Sequence, residues 1–193
     1  APAPEFYRLR IANQIVNIGV DSTETINVKA AYPTMSANYE VSGSEECAKI
    51  RELAYMQLAL QNKVTAIANS NSLGVAAVED SVAKVLDVYK NKVKMDYIFK
   101  EPMKAYYALF QTVQLGNANM LIFNPRSNKE DVKVFAAVAT SWDTYFPEAE
   151  RGLNLHNIAI EGMKNVRIAE NNARQTISAD KVQVAGLIDI ALT

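Results

Sequence analysis

Between residues 44 and 99, apolar side chains recur at alternating steps of three and four. Ile50, Leu53, Leu60, Val64 and Ile67, with Gln57 set among them, form one series; Val75, Val78, Val82, Val85, Tyr89 and Val93 form a second. That spacing puts each series on one helical face. The polar connection at 69–74 ends in Gly74, so the pattern predicts two helices folded back as an antiparallel hairpin. Two starts are open for the first helix: Ser42 with Glu45 in a capping box, or Ser44 with Glu45 and Glu46 in the first turn, where the helix dipole favours acids. Gln57 takes a seam position, and we read it as a satisfied glutamine in preference to one that selects a partner.

The rest of the chain is added to that pair. Residues 5–20 carry both periods: Leu9, Ile11 and Ile15 suit a strand, and Ile11, Ile15 and Ile18 suit a helical stripe, with the balance toward extended structure. Ile26, Val28 and Ala30 alternate as in a short strand that Pro33 ends, and a loop carries on to Val41. Pro102 marks a bend followed by a third helix over 101–115, which Gly116 closes. Met120–Phe123 reads as a linker or a brief strand. Ser127 and Glu130 open a fourth helix bearing Val132, Phe135, Ala139, Trp142 and Phe146, and Pro147 stops it.

A longer helical pattern covers 148–177. Leu155, Ile158, Gly162, Val166, Ala169 and Ala173 lie along one side, and Leu153, Ile160 and Met163 along another, which suggests two neighbours. After 178, Val182, Val184, Ile188 and Ile190 alternate with other residues and predict a C-terminal strand that would pair with the N-terminal segments. The expected architecture is mainly α, about five helices around the hairpin, with short extended N- and C-terminal segments able to form a small β-sheet. Its parts are an extended arm or small sheet at 1–43, a helical core at 44–177 and a strand at 178–193, within a single domain.

Composition supports a folded protein: 49% of the 193 residues are hydrophobic and 21% charged. No apolar run reaches the roughly 18–20 residues needed to span a bilayer. With a net charge of -1 and scattered Lys and Arg, the whole chain has no nucleic-acid footprint, although folding could assemble a basic groove from distant residues. The start, Ala-Pro-Ala-Pro, fits a cytosolic protein that has lost its initiator Met or an exported one that has lost a signal peptide.

Candidate chemistry is sparse. Neither GxGxxG nor GxxxxGK[ST] occurs, and one Cys with one His offers no ordinary metal-ligand set, so neither a metal nor a cofactor is expected. Cys47 reads as a small buried thiol, and His156 as an ordinary helical side chain. No catalytic residue is assigned. The aromatics are the strongest signal: Tyr97, Phe99, Tyr106, Tyr107, Phe110, Trp142, Tyr145 and Phe146 gather near Pro102 and Pro147, with Met95, Met103 and Met120. They read first as core packing and second as the lining of an apolar pocket. Two functions follow as expectations. The first is a non-enzymatic structural subunit, coat-, filament- or scaffold-like, that forms homo-oligomers through its termini and last helix. The alternative is a helical carrier of an apolar small molecule, or a membrane-interacting protein, using Tyr97, Phe99, Met103, Tyr106, Tyr107, Phe110, Trp142, Tyr145 and Phe146.

Overall fold

A computed structural model describes residues 3–21, 23–70 and 74–191, with side chains placed as far as residue 176. The fold is mainly α, with three two-stranded antiparallel sheets. Helix α1 (Glu45–Ala68) starts at Ser44, whose extended backbone and Oγ, accepting from the Cys47 amide at 3.3 Å, cap the first turn. Ser42, the other possible start, lies in a strand instead. Helix α2 (Val75–Val93) runs into a π-helical turn, Lys94–Ile98, and packs back along α1.

The spacing places the core correctly. Ile50, Leu53, Leu60 and Val64 of α1 are buried, as are Val82, Tyr89 and Val93 of α2. Val75 is the exception: it stands in the first turn of α2, beyond the packed part of the hairpin, and is 78% exposed.

Helices α4 (Lys129–Tyr145) and α5 (Glu150–Ala191) form the other half. Asn128 caps α4, its Oδ1 accepting from the Glu130 and Asp131 amides, so the start falls one residue after Ser127. Phe135, Val138 and Trp142 from α4 fill the centre of the core with Leu155 and Ala159 of α5. The two helices approach closely at Gly162, where a Cβ would sit 2.5 Å from the Pro125 carbonyl oxygen and 2.9 Å from a Val132 methyl. A buried ion pair ties the halves together: Lys90 Nζ lies 2.7 Å from Asp131 Oδ2, which also accepts from the Asn124 amide.

Three expectations need correction. The third helix does not span 101–115. A 3-10 turn (Pro102–Lys104) and a single helical turn, α3 (Tyr106–Leu109), lead into strand β5 (Thr112–Leu115), which pairs with β6 (Ala118–Leu121) across a turn containing Gly116 at φ +57°. Aromatics at helical spacing imitated one continuous element. The loop expected before Val41 contains a strand, β4 (Tyr39–Ser42), paired with β3 (Asn27–Ala30).

The C-terminal strand is also absent, because α5 stays helical through Gly186 to Ala191. A strand needs a partner for its backbone, and the N-terminal segment is already paired within itself. Strands β1 (Glu5–Ile11) and β2 (Gln14–Val20) form a hairpin through a two-residue turn. A local hairpin closes a far shorter loop than pairing across the chain. One interior glycine costs a helix only about 1 kcal/mol.

Candidate functional site

A groove of about 750 Å³ lies between the β1–β2 hairpin on one side and α1, α3 and β5 on the other. One face of the hairpin builds its first wall. Phe6, Arg8 and Arg10 alternate along β1 and pair across to Gly19, Asn17 and Ile15 of β2, so all six share a face. Phe6 stacks on Tyr106 with ring centres 5.0 Å apart and planes 19° apart. Arg151 lies over both rings, at 5.5 and 5.6 Å, while pairing with Glu5 at 2.9 Å.

The second wall is made of amides. On α1, Gln57 Nε2 donates to the Thr112 carbonyl at 2.7 Å. One turn on, Gln61 Nε2 donates to the Gln114 carbonyl at 3.0 Å, while its Oε1 accepts from the Gln114 amide at 2.8 Å. The Gln61 side chain thus pairs with the outer edge of β5 as a neighbouring strand would. Behind them Gln111 is 2% exposed and fully engaged: its Nε2 donates to the Leu53 carbonyl at 3.0 Å and to Gln57 Oε1 at 3.3 Å, and its Oε1 accepts from the Tyr89 hydroxyl at 2.8 Å. Across the groove Asn17 Nδ2 donates to the Tyr107 hydroxyl at 3.1 Å. Burial pushes the Tyr107 phenol up, so it stays protonated. No Asp or Glu lines this groove.

The nine aromatic and methionine positions do not share one cavity. Tyr106, Tyr107 and Phe110 line the groove. Trp142 and Phe146 lie behind them in a chain of ring contacts, Tyr106–Trp142 at 5.1 Å and Trp142–Phe146 at 5.2 Å, and the Trp142 indole N–H donates to the Met103 carbonyl. Tyr97 packs half-buried on the core, its hydroxyl 3.4 Å from Met56 Sδ. Phe99 and Tyr145 are exposed, as are Met95 and Met120. The groove residues other than these rings come from segments far apart in sequence, and among them only Gln57 stood out by its position.

Cys47 is buried, with its Sγ–H donating to the Gly19 carbonyl at 2.9 Å, and burial pushes the thiol up, away from nucleophilic character. His156 Nδ1 sits 3.1 Å from Asp143 Oδ2 on the exposed face between α4 and α5. Beside Cys47 lies a residue that the sequence pattern marked only as a first-turn acid, not as a buried one. Glu46 is 6% exposed, packed under Gly19, and its Oε1 has no hydrogen-bond partner. Burial, with Asp21 and Glu24 nearby, pushes its carboxyl up to about 7. Its neighbour Glu45 is exposed and ion-paired with Lys104, which holds its carboxyl below the usual range. Among the described residues no cluster of three or more His, Cys, Asp or Glu has the arrangement to hold a metal.

Comparison with protein-family models, curated proteins and solved structures finds no match. Among the described residues, no helix is long and apolar enough to cross a membrane.

Proposed function

We propose that the protein is a non-enzymatic assembly subunit whose copies associate through α5. The observation that carries this reading is how α5 leaves the body. Its first turns are seated, with Leu155 fully buried and Gly162 against Pro125, but residues 167–176 are exposed without interruption while the helix runs on to Ala191. At 1.5 Å per residue its 42 residues extend about 63 Å. An isolated helical stretch gains little stability in water without packing, so the exposed stretch at 167–176 calls for a partner. On the seated half, Leu153 is 61% and Met163 48% exposed, and Ile168 just beyond is 57% exposed. Leu153 and Met163 belong to the second apolar face, and Ile160, its third member, is half-buried.

A second patch supports self-association. Tyr7, Leu9 and Ile11 alternate on one face of β1, and all three are exposed on a strand whose outer edge has no partner among the described residues. Symmetric pairing of such faces is the usual route to a homo-oligomer.

The test is light scattering coupled to size exclusion over a hundredfold concentration range. The full chain is expected to elute as an oligomer, and Met163→Asp with Ile168→Asp to shift it toward monomer with an unchanged circular dichroism spectrum. A wild-type monomer at every concentration rules the reading out.

A further inference from the structure

We infer that the groove between the β1–β2 hairpin and α1 is a binding site for single-stranded nucleic acid. This goes beyond self-association and does not rest on it. Three properties of the groove converge on that ligand. The first is charge. Arg8 lines the groove and Arg10 follows on the same strand face, and neither has a carboxylate partner among the described residues; Arg151, over the rings at one end, is paired with Glu5 and adds no free charge. With no acidic side chain on the lining, the local field is positive although the chain as a whole carries -1.

The second is stacking surface. Phe110 in the groove is 38% exposed, next to the half-buried ring of Tyr106. Flat exposed rings beside arginines accept bases of any sequence, at about 1–3 kcal/mol per base. The third is hydrogen bonding. Asn13 and Asn119 stand at the groove with Ser36, offering donors and acceptors that suit base edges and sugar hydroxyls. A volume of about 750 Å³ falls within the roughly 300–1,000 Å³ range of real ligand sites.

Other polymers fit less well. A polypeptide strand would seek a free backbone edge, and the β5 edge facing the groove is already paired with Gln57 and Gln61. A duplex presents its bases stacked inside, where these rings cannot reach them.

Fluorescence polarisation of the full-length protein with labelled oligothymidylate and oligouridylate decides the matter. Probes longer than the roughly 4–16 nucleotides covered by one single-strand-binding fold are suitable. Binding is expected for at least one probe, with a log–log salt slope of about −1.4, since each neutralised phosphate contributes about −0.7 and Arg8 and Arg10 are the two arginines on this face without a carboxylate partner among the described residues. Arg8→Glu with Arg10→Glu should weaken it at least tenfold. Both side chains are exposed, so the thermal melt of this variant should match wild type. No polarisation change at low salt, equal binding by the double arginine variant, or tighter binding of a duplex of the same length would each overturn the assignment.

Discussion

Helix α1 buries polar side chains at two places, and they are opposites. In its middle, Gln57 joins Gln111 and Tyr89 in a network in which each amide has partners, linking α1, α2 and β5. At its first turn Glu46 is nearly as buried as Gln111 but holds a carboxylate oxygen with nothing to bond. The contrast shows that burial alone does not decide what a polar group does for a fold. A satisfied network specifies a single arrangement, whereas an unsatisfied carboxyl makes stability depend on its proton.

The sharpest way to break the contrast is to cut the network at its most buried member. Gln111→Leu keeps the volume but removes the partner of the Tyr89 hydroxyl and of Gln57 Oε1, and we expect a loss of about 3 kcal/mol in urea unfolding, at about 1–3 kcal/mol per stranded group. An effect below about 1 kcal/mol would mean that water replaces the amide.

Glu46 should respond in the opposite direction. Its folded-state pKa of about 7 lies above the ordinary 4.5. Its contribution to stability is therefore complete below about pH 4.5 and lost as the pH rises through 7. Glu46→Gln should raise stability by about 2 kcal/mol at pH 8 and leave it nearly unchanged at pH 4.5. The difference between variant and wild type is the quantity to follow, because Glu45, Glu101, Glu130 and Glu170 have carboxyls held low by lysines and give the wild-type profile an opposing slope. A pH-independent difference would show that Glu46 titrates alike in the folded and unfolded chain. The smallest expected effect is that of Gln57→Ala, about 1 kcal/mol, for the half-buried Thr112 carbonyl it leaves behind. In combination with Gln111→Leu it should be less than additive, because the two amides share a bond.

The sequence made the helical frame legible wherever a cap and a sustained period agreed, as at Ser44 with Ile50, Leu53, Leu60 and Val64. It failed where period alone was trusted. Met103, Tyr106, Tyr107, Phe110 and Val113 keep helical spacing, yet the backbone turns at Phe110 and enters β5, because Gln111 is anchored to Leu53 and a tight Gly116 hairpin brings β6 alongside. Glu46 could have been found, since the α1 seam extended one turn back from Ile50 lands on it; its acidic character directed attention to the helix dipole instead. The groove was out of reach for a different reason. Arg8, Asn17, Gln61, Gln114 and Arg151 belong to five separate segments, and no local pattern relates them.

The pairing of Gln61 with the Gln114 backbone has one more consequence. Two-stranded hairpins carry open edges at which further strands can add without limit. Here a helix side chain occupies the site where a third strand would attach to β5, so extension of this hairpin by strand addition is blocked on the α1 side and confined to β6. If copies of the chain join through this ribbon, each offers one open edge, so β6 can meet only the β6 of a second copy and the pairing closes as a twofold pair instead of growing.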